Sequence, residues 1–289
     1  MRRGMNFANL NIRLFNLKHT FESAQPLAFY ADYNEVANSL TYPSGGHVIN
    51  IRRIKESDSL FVTSNNMDYA VKEVRERFRL DDRMNFIYKQ INTDNFMDSA
   101  IKNFRGLRLT LNDPWEATLV FILSQFNNVK RIRKTTKSMI EKYGEQISGE
   151  YDNKIKDFPE SERIADASEK DLVKCGAGFR AKYIRDAAEF CTYNINLESL
   201  KGKKYDEIKE TLLEIKGVGD KVADCIALMG FGKLEAFPID RWVKRTMERV
   251  YFKGKETSIK KIAEFASERW GDYAGYAQQY IFWNGRTEG

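Results

Sequence analysis

Lys221 stands two residues beyond Gly219 in the stretch LLEIKGVGDKVADCIALMG, and Asp240 follows it by nineteen residues, just after Pro238, at the head of DRWVKRTMERV. A lysine in the first turn of a helix faces the positive end of the helix dipole, which disfavours its ammonium form. Where such an amine is also partly buried, it becomes a nucleophile accessible near pH 7. Asp240 fits the N-cap of the next helix, and a carboxylate that accepts backbone N–H bonds stays ionised. Beside a neutral amine, that charge can support a positive centre developing on the carbon under attack. Taken singly, both residues have plainer readings: Lys221 is one of 47 basic residues, and Asp240 is an adequate cap with no chemistry. Their joint spacing around a Gly-Val-Gly turn is the informative feature.

The elements that must hold them are two helices in a hairpin. Ile208, Leu212 and Ile215 recur at helical spacing before the turn. After it, Val222, Ile226 and Met229 share one face, and Lys221, Cys225 and Leu228 another. Gly217 and Gly219 mark a turn too tight for side chains. The second helix then begins with free N–H groups, a ready site for an anion such as phosphate.

Upstream, the period is that of strands. Leu10, Ile12 and Leu14 alternate with polar residues, and so do Leu27, Phe29, Ala31 and Tyr33. TYPSGGHVINIRRI reads as a hairpin turn leading into a strand with Ile49 and Ile51 on one face, and SLFVT as another strand. From Asp68 the pattern becomes helical: Ala70, Val74 and Phe78, then Met84, Ile87, Tyr88 and Ile91, then Phe96, Met97, Ala100 and Phe104. NDPWEA is a sharp helix start, with Asp113 as cap, Pro114 at the first position and Glu116 completing a capping box. Ser168 caps a further helix that Gly176 closes. The class is therefore α+β: a small N-terminal antiparallel sheet with flanking helices over residues 1–105, then a mostly helical body with the hairpin over 106–289.

Bulk properties narrow the partners. The 289 residues are 42% hydrophobic and 30% charged, as in a soluble folded protein. No apolar run is long enough to span a membrane, and the start, MRRGMNFANLNIRLF, has no secretory pattern. Three scattered cysteines, Cys175, Cys191 and Cys225, suit a reducing interior. With only His19 and His47, and no metal-ligand spacing, no metal or other cofactor is expected. A net charge of +6 and a pI near 9.0 are compatible with a polyanionic partner.

A helix-hairpin-helix followed by a lysine and a Pro-x-Asp helix start resembles the base-excision DNA glycosylase superfamily named for its hairpin and Gly-Pro-Asp motif. GVGDKVADCIALM is most similar to the signature of the eukaryotic-type 8-oxoguanine glycosylases. FESAQPLAF, FRGLRLTLNDPWE, GAGFRAKYI and YAGYAQQYIF resemble further segments of that family in the same order, so the resemblance covers most of the chain.

The resemblance implies a bifunctional enzyme that flips an oxidised base out of double-stranded DNA, excises it and then cuts the strand as an apurinic-site lyase. It implies Lys221 as the nucleophile at the sugar C1′ and Asp240 as the carboxylate supporting an oxocarbenium-like transition state. Cys225 and Phe282 would sandwich the flipped base, Gln278 would read its Watson–Crick edge, and Pro238 and Met229 would line the pocket. Gln278 and Phe282, four residues apart, fall on one helix face as a shared pocket requires. Gly217, Val218 and Gly219 would grip a DNA phosphate, with Lys130, Arg131 and Arg133 adding phosphate contacts. Arg131 and Arg180 match two arginines that read the orphaned cytosine. The expected protein is a DNA-associated intracellular monomer, cytoplasmic in a prokaryote or nuclear in a eukaryote.

Three positions depart from the family pattern. Ala24 replaces a glycine whose carbonyl recognises the N7 hydrogen of 8-oxoguanine; alanine keeps the carbonyl, and selectivity with it if the local backbone is ordinary. Trp242 replaces a phosphate-touching histidine, and Phe126 replaces the asparagine that fills the gap left by the flipped base. No cysteine follows Cys225, so the iron–sulfur cluster of the endonuclease III branch cannot be built. The alternatives are a glycosylase-lyase of the same fold for another damaged base, or a hairpin-based binder of damaged DNA without catalysis. The latter needs only the glycines and leaves Lys221, Asp240 and the pocket residues unexplained.

Overall fold

The computed structural model describes residues 7–54, 57–147 and 155–287. Residues 1–6, the head of the segment read for a leader, lie outside it. Five strands, β1 (Phe7–Asn11), β2 (Asp32–Asn34), β3 (Ser39–Ser44), β4 (His47–Arg53) and β5 (Ser59–Ser64), form one antiparallel sheet in the order β1-β5-β4-β3-β2. Gly45 and Gly46 form the expected two-residue turn, both at positive φ as a tight hairpin requires, and Ile49 and Ile51 are fully buried on β4. Helix α1 (Leu17–Glu22) follows β1.

The expected strand over Leu27–Tyr33 is a correction. Pro26–Phe29 is a 3-10 helix, and only Asp32–Asn34 pairs in the sheet. The cause is tertiary: every residue from Pro26 to Ala31 is buried, whereas an alternating strand would expose half of them. Similarly, β1 stops at Asn11, short of Leu14, whose φ is +53°.

Helices α2 (Met67–Arg77), α3 (Met84–Ile91) and α4 (Asn95–Asn103) follow the sheet. The body then runs through α5 (Pro114–Ser124), α6 (Val129–Tyr143), α7 (Ser161–Ala165), α8 (Glu169–Lys174) and α9 (Arg180–Tyr193). It ends with α10 (Tyr205–Leu213), α11 (Asp220–Gly230), α12 (Arg241–Tyr251), α13 (Ile259–Trp270) and α14 (Ala274–Thr287). α2 packs on β5, while α3 and α4 pack on α14, so these two helices share the core of the body despite preceding residue 106. α5 is buried along almost its whole length and lies between α9 and α11.

Asp113 caps α5 as expected, its Oδ1 accepting from Trp115 N at 2.8 Å. Glu116 does not complete a capping box. Its carboxylate instead accepts from Arg77 Nη1 at 2.7 Å and Tyr30 OH at 3.0 Å, and Arg77 also donates to Glu73 at 2.5 Å. A buried guanidinium between the sheet side and α5 needs both carboxylates, and that demand outweighs a local cap; removing one partner of such a pair costs about 3–5 kcal/mol.

Candidate active site

α10 and α11 form the hairpin. Ile208 and Leu212 are fully buried, and Lys209 and Tyr205 of α10 reach across to Asp224 Oδ1 at 2.8 and 2.5 Å. Gly217 has φ +88°, and a Cβ there would meet the Tyr183 ring at 2.7 Å. Gly219 is a correction: its φ is −104° and a Cβ would meet nothing within 4 Å, so the fold itself tolerates a side chain there. Gly219 is the N-cap of α11 without a side-chain cap, and the helix bonds begin with Val222 N donating to Gly219 O at 2.9 Å. The open space over Gly219 leaves this helix start approachable by a phosphate.

Lys221 occupies the first turn of α11, half-buried, its Nζ 5.6 Å from the centre of the Phe121 ring. One turn on, Cys225 is 6% exposed. Burial pushes its thiol up to about 11, the Lys221 charge and hydrogen bond pull the other way, and the Asp224 and Asp240 charges add to the rise. Lys221 and Asp240, from two different helices, thus both bear on the Cys225 thiol. Asp240 caps α12 through Oδ1, accepting from Trp242 N at 2.9 Å and Val243 N at 2.8 Å, so the cap engages one oxygen of a half-buried carboxylate.

α14 reaches the segment that leads into α12. Gln278 is 5% exposed, and its Nε2 donates to Pro238 O at 3.0 Å. Its Oε1 is buried with no hydrogen-bond partner among the described residues. An orphaned buried acceptor costs about 1–3 kcal/mol, which a ligand donor would recover. Phe282 lies one turn further on, half-buried. Met229 sits about 12 Å along α11 from Lys221, in the core, with its carbonyl held by Asn112 N at 2.7 Å.

The Ala24 segment is tied down from two directions. Gln279 Nε2 donates to Ser23 O at 2.9 Å, and Gln25 bonds Arg108 O at 2.9 Å and Thr110 N at 2.7 Å. Ala24 itself has φ +59°. The backbone there is not ordinary, contrary to the condition set from sequence: alanine takes the left-handed conformation that glycine would take freely, so the carbonyl keeps that orientation at a conformational cost.

Phe126 and the two arginines belong to another part of the surface. Phe126 is 94% exposed at φ +47° in the turn between α5 and α6. Arg131 is exposed on α6. Arg180 is 3% exposed, with its guanidinium against the Gln125 and Phe126 carbonyls. Arg133, expected on phosphate, donates to Ala28 O and Ala31 O at 2.7 Å each, joining α6 to the N-terminal segment. Sequence reading missed Gln25, Gln125 and Gln279, which carry no local signal, and Phe179, exposed beneath the Arg180 guanidinium at 4.4 Å. Phe179 was findable as an aromatic residue in the Gly-rich turn GAGFR.

A sheet joined to a helical body, with an amine on the hairpin's second helix, a carboxylate capping α12 and a buried glutamine acceptor on α14, suits a base-excision type of site. Residues 8–118 match the model of the 8-oxoguanine DNA glycosylase N-terminal domain, and residues 119–272 that of the HhH-GPD superfamily base excision DNA repair proteins. The chain is 31% identical to a probable N-glycosylase/DNA lyase of Methanothermobacter thermautotrophicus, over 77% of this chain and 78% of the relative. It is 29% identical to the N-glycosylase/DNA lyase of Saccharomyces cerevisiae, over 81% and 73%. The solved complex of MBOgg1 with a low-affinity DNA ligand matches at TM-score 0.91 and 33% identity, over 100% of this chain and 98% of that one. Clostridium acetobutylicum 8-oxoguanine glycosylase/lyase, in complex with double-stranded DNA containing cytosine opposite 8-oxoguanine, matches at TM-score 0.88 and 29% identity, over 98% of each chain. The chain belongs to the HhH-GPD superfamily of base excision DNA repair proteins and carries the N-terminal domain of its 8-oxoguanine glycosylases.

Proposed function

We propose that this protein excises 8-oxoguanine from double-stranded DNA and then cleaves the strand as a lyase. The observation that carries the substrate reading is Gln278, whose buried Oε1 lacks a partner among the described residues while its amide nitrogen is fixed on Pro238 O. Guanine-type bases present N1–H and N2–H donors on the Watson–Crick edge, whereas adenine presents an acceptor at N1; a fixed acceptor therefore favours the former. The Ser23–Ala24 segment, held by Gln279 and Gln25, is the second reader: the Ala24 carbonyl accepts from the N7–H that 8-oxoguanine has and guanine lacks.

The chemistry follows from the first-turn amine. The base is drawn from the stack, and Cys225, kept neutral by burial, offers it an uncharged face with Phe282 on the other side. Lys221 Nζ attacks C1′ as the glycosidic C–N bond breaks, the bonding pair leaving with the base, which takes up a proton. The Asp240 carboxylate supports the positive charge that builds on the sugar. Ring opening gives a Schiff base; loss of a C2′ proton then expels the 3′ phosphate, and water hydrolyses the imine to release Lys221. This reading supports DNA as the protein's partner, gripped at the α11 start without regard to sequence.

The test is borohydride trapping on duplexes carrying 8-oxoguanine, other damaged bases or none. Wild-type protein is expected to cross-link to the 8-oxoguanine duplex, and Lys221→Gln to bind it without trapping or cleaving. Undiminished trapping by Lys221→Gln would assign the chemistry to another amine.

A further inference from the structure

The Lys221 nitrogen has two uncharged neighbours. Cys225 is hydrogen-bonded to it, and burial keeps that thiol neutral, pushed up to about 11. Phe121 of α5 is the second, with Nζ over its ring at 5.6 Å from the centre. The acidic residues beside Lys221 on α11 are engaged by α10. Asp220 and Asp224 face Lys209 at 3.6 and 2.8 Å, and Asp224 also accepts from Tyr205. Asp240, from α12, gives one oxygen to its cap.

Packing fixes the ring. Phe121 is 6% exposed, on a helix buried along almost its whole length. α5 and α11 run antiparallel in close contact. A Cβ at Gly230, the end of α11, would stand 3.2 Å from Ala117 Cβ and from Pro114 Cα at the start of α5. Lys221, at the head of α11, meets Phe121 in the last turn of α5. A ring held in this way offers its electron-rich face to a positive charge and gains nothing from a neutral amine. The nitrogen becomes positive twice in the reaction: first when it attacks C1′, then when the C1′–O4′ bond opens. In the second step the bonding pair goes to O4′, which takes up a proton, and the nitrogen lone pair completes a protonated Schiff base.

We propose that Phe121 stabilises this iminium through the face of its ring and so sets how much of the enzyme stands as the covalent intermediate. The proposal rests on the glycosylase-lyase reading above. The iminium has two exits. Loss of a C2′ proton gives an enamine that expels the 3′ phosphate and cuts the strand, whereas attack of water on C1′ returns free Lys221 and an uncut abasic sugar. Elimination can start only from the iminium, so a ring that raises its population favours the cut.

Borohydride trapping on a duplex with a preformed abasic site reads the iminium alone, since no base has to be excised. The reagent delivers hydride to C1′ and leaves a stable amine. At fixed borohydride, Phe121→Leu should lower the initial trapping rate roughly 5- to 30-fold, the range for a partly desolvated cation–π contact. Strand cleavage of that duplex should fall with it. Release of 8-oxoguanine, developed with hot alkali, should fall less, because in that step the positive charge lies on the sugar and Asp240 meets it. Leucine changes shape as well as charge, so phenylalanines carrying one, two or three ring fluorines at position 121 of the full chain supply the sharper arm. Each fluorine drains the ring face and leaves its packing nearly unchanged. The logarithm of the trapping rate should fall in steps with fluorine number while the thermal unfolding midpoint stays constant. A flat fluorine series, or a Phe121→Leu loss as large in base release as in trapping, would overturn the proposal and leave the functional reading standing. If Phe121→Leu does not fold, the fluorine series decides. Wild-type protein that traps on no duplex would overturn the functional reading and this proposal with it.

Discussion

Gln279 on the last helix donates to the carbonyl oxygen of Ser23 at 2.9 Å, joining positions 256 residues apart in the chain. The bond fixes the residue before Ala24 and, with Gln25 on Thr110, holds Ala24 at φ +59°. Gln279's neighbour, Gln278, turns the other way onto Pro238. Two adjacent glutamines therefore tie the last helix to two distant segments, Ser23 and Pro238.

Ala24→Gly should relieve this strain. The left-handed conformation costs alanine roughly 1–2 kcal/mol, and glycine gives back about 0.4–1 kcal/mol in unfolded-state freedom. A net stabilisation of about 0.5–1 kcal/mol is expected in urea unfolding, with the preference for 8-oxoguanine over guanine unchanged. A destabilised variant would show that the alanine methyl contributes packing that outweighs its strain.

Asp240→Asn and Asp240→Ala separate capping from chemistry. Asparagine still caps α12, so its stability should match wild type, while alanine should lose about 0.5–2 kcal/mol. Base excision should fall about 100- to 1000-fold or more in both, since both lack the charge. Wild-type excision by Asp240→Asn would reduce the residue to a cap.

Cys225 makes stability depend on alkaline pH. Its thiol is pushed up to about 11 from an ordinary 9.0, so between those values the unfolded chain releases a proton that the folded chain keeps. Stability must then fall as pH rises through that window, by up to about 1.4 kcal/mol per pH unit from this group. Cys225→Ala should show a shallower decline by that amount; Cys191, pushed up to about 12, contributes equally to both proteins. Identical slopes would refute the assignment.

Lys130 and Arg133 lie on one helix, and their expected effects differ. Lys130 is exposed, and Lys130→Ala should reduce the salt slope of duplex binding by about 0.9 if it meets one phosphate. Arg133 is spent on the Ala28 and Ala31 carbonyls, so Arg133→Ala should cost about 1.5–3 kcal/mol of stability and leave the slope unchanged. Exchange of these two outcomes would mean that the α6 face contacts DNA through a different edge.

The sequence by itself determined what neighbouring residues settle among themselves. Asp113, Ser168 and Asp240 cap their helices, Gly45 and Gly46 turn the hairpin, and Lys221 and Cys225 fall one turn apart on α11. Caps, turns and periodicities act over a few residues, so their signals survive in a linear reading. Only the tertiary structure decided the rest. Packing made Pro26–Phe29 helical, drew Glu116 from its cap to Arg77, and set Ala24 in the left-handed region. It also left Gln278 with a free acceptor while giving the Arg180 donors to the Phe126 turn. A long polar side chain can reach many partners, and which one it bonds depends on what folding brings beside it and what it shuts away from water.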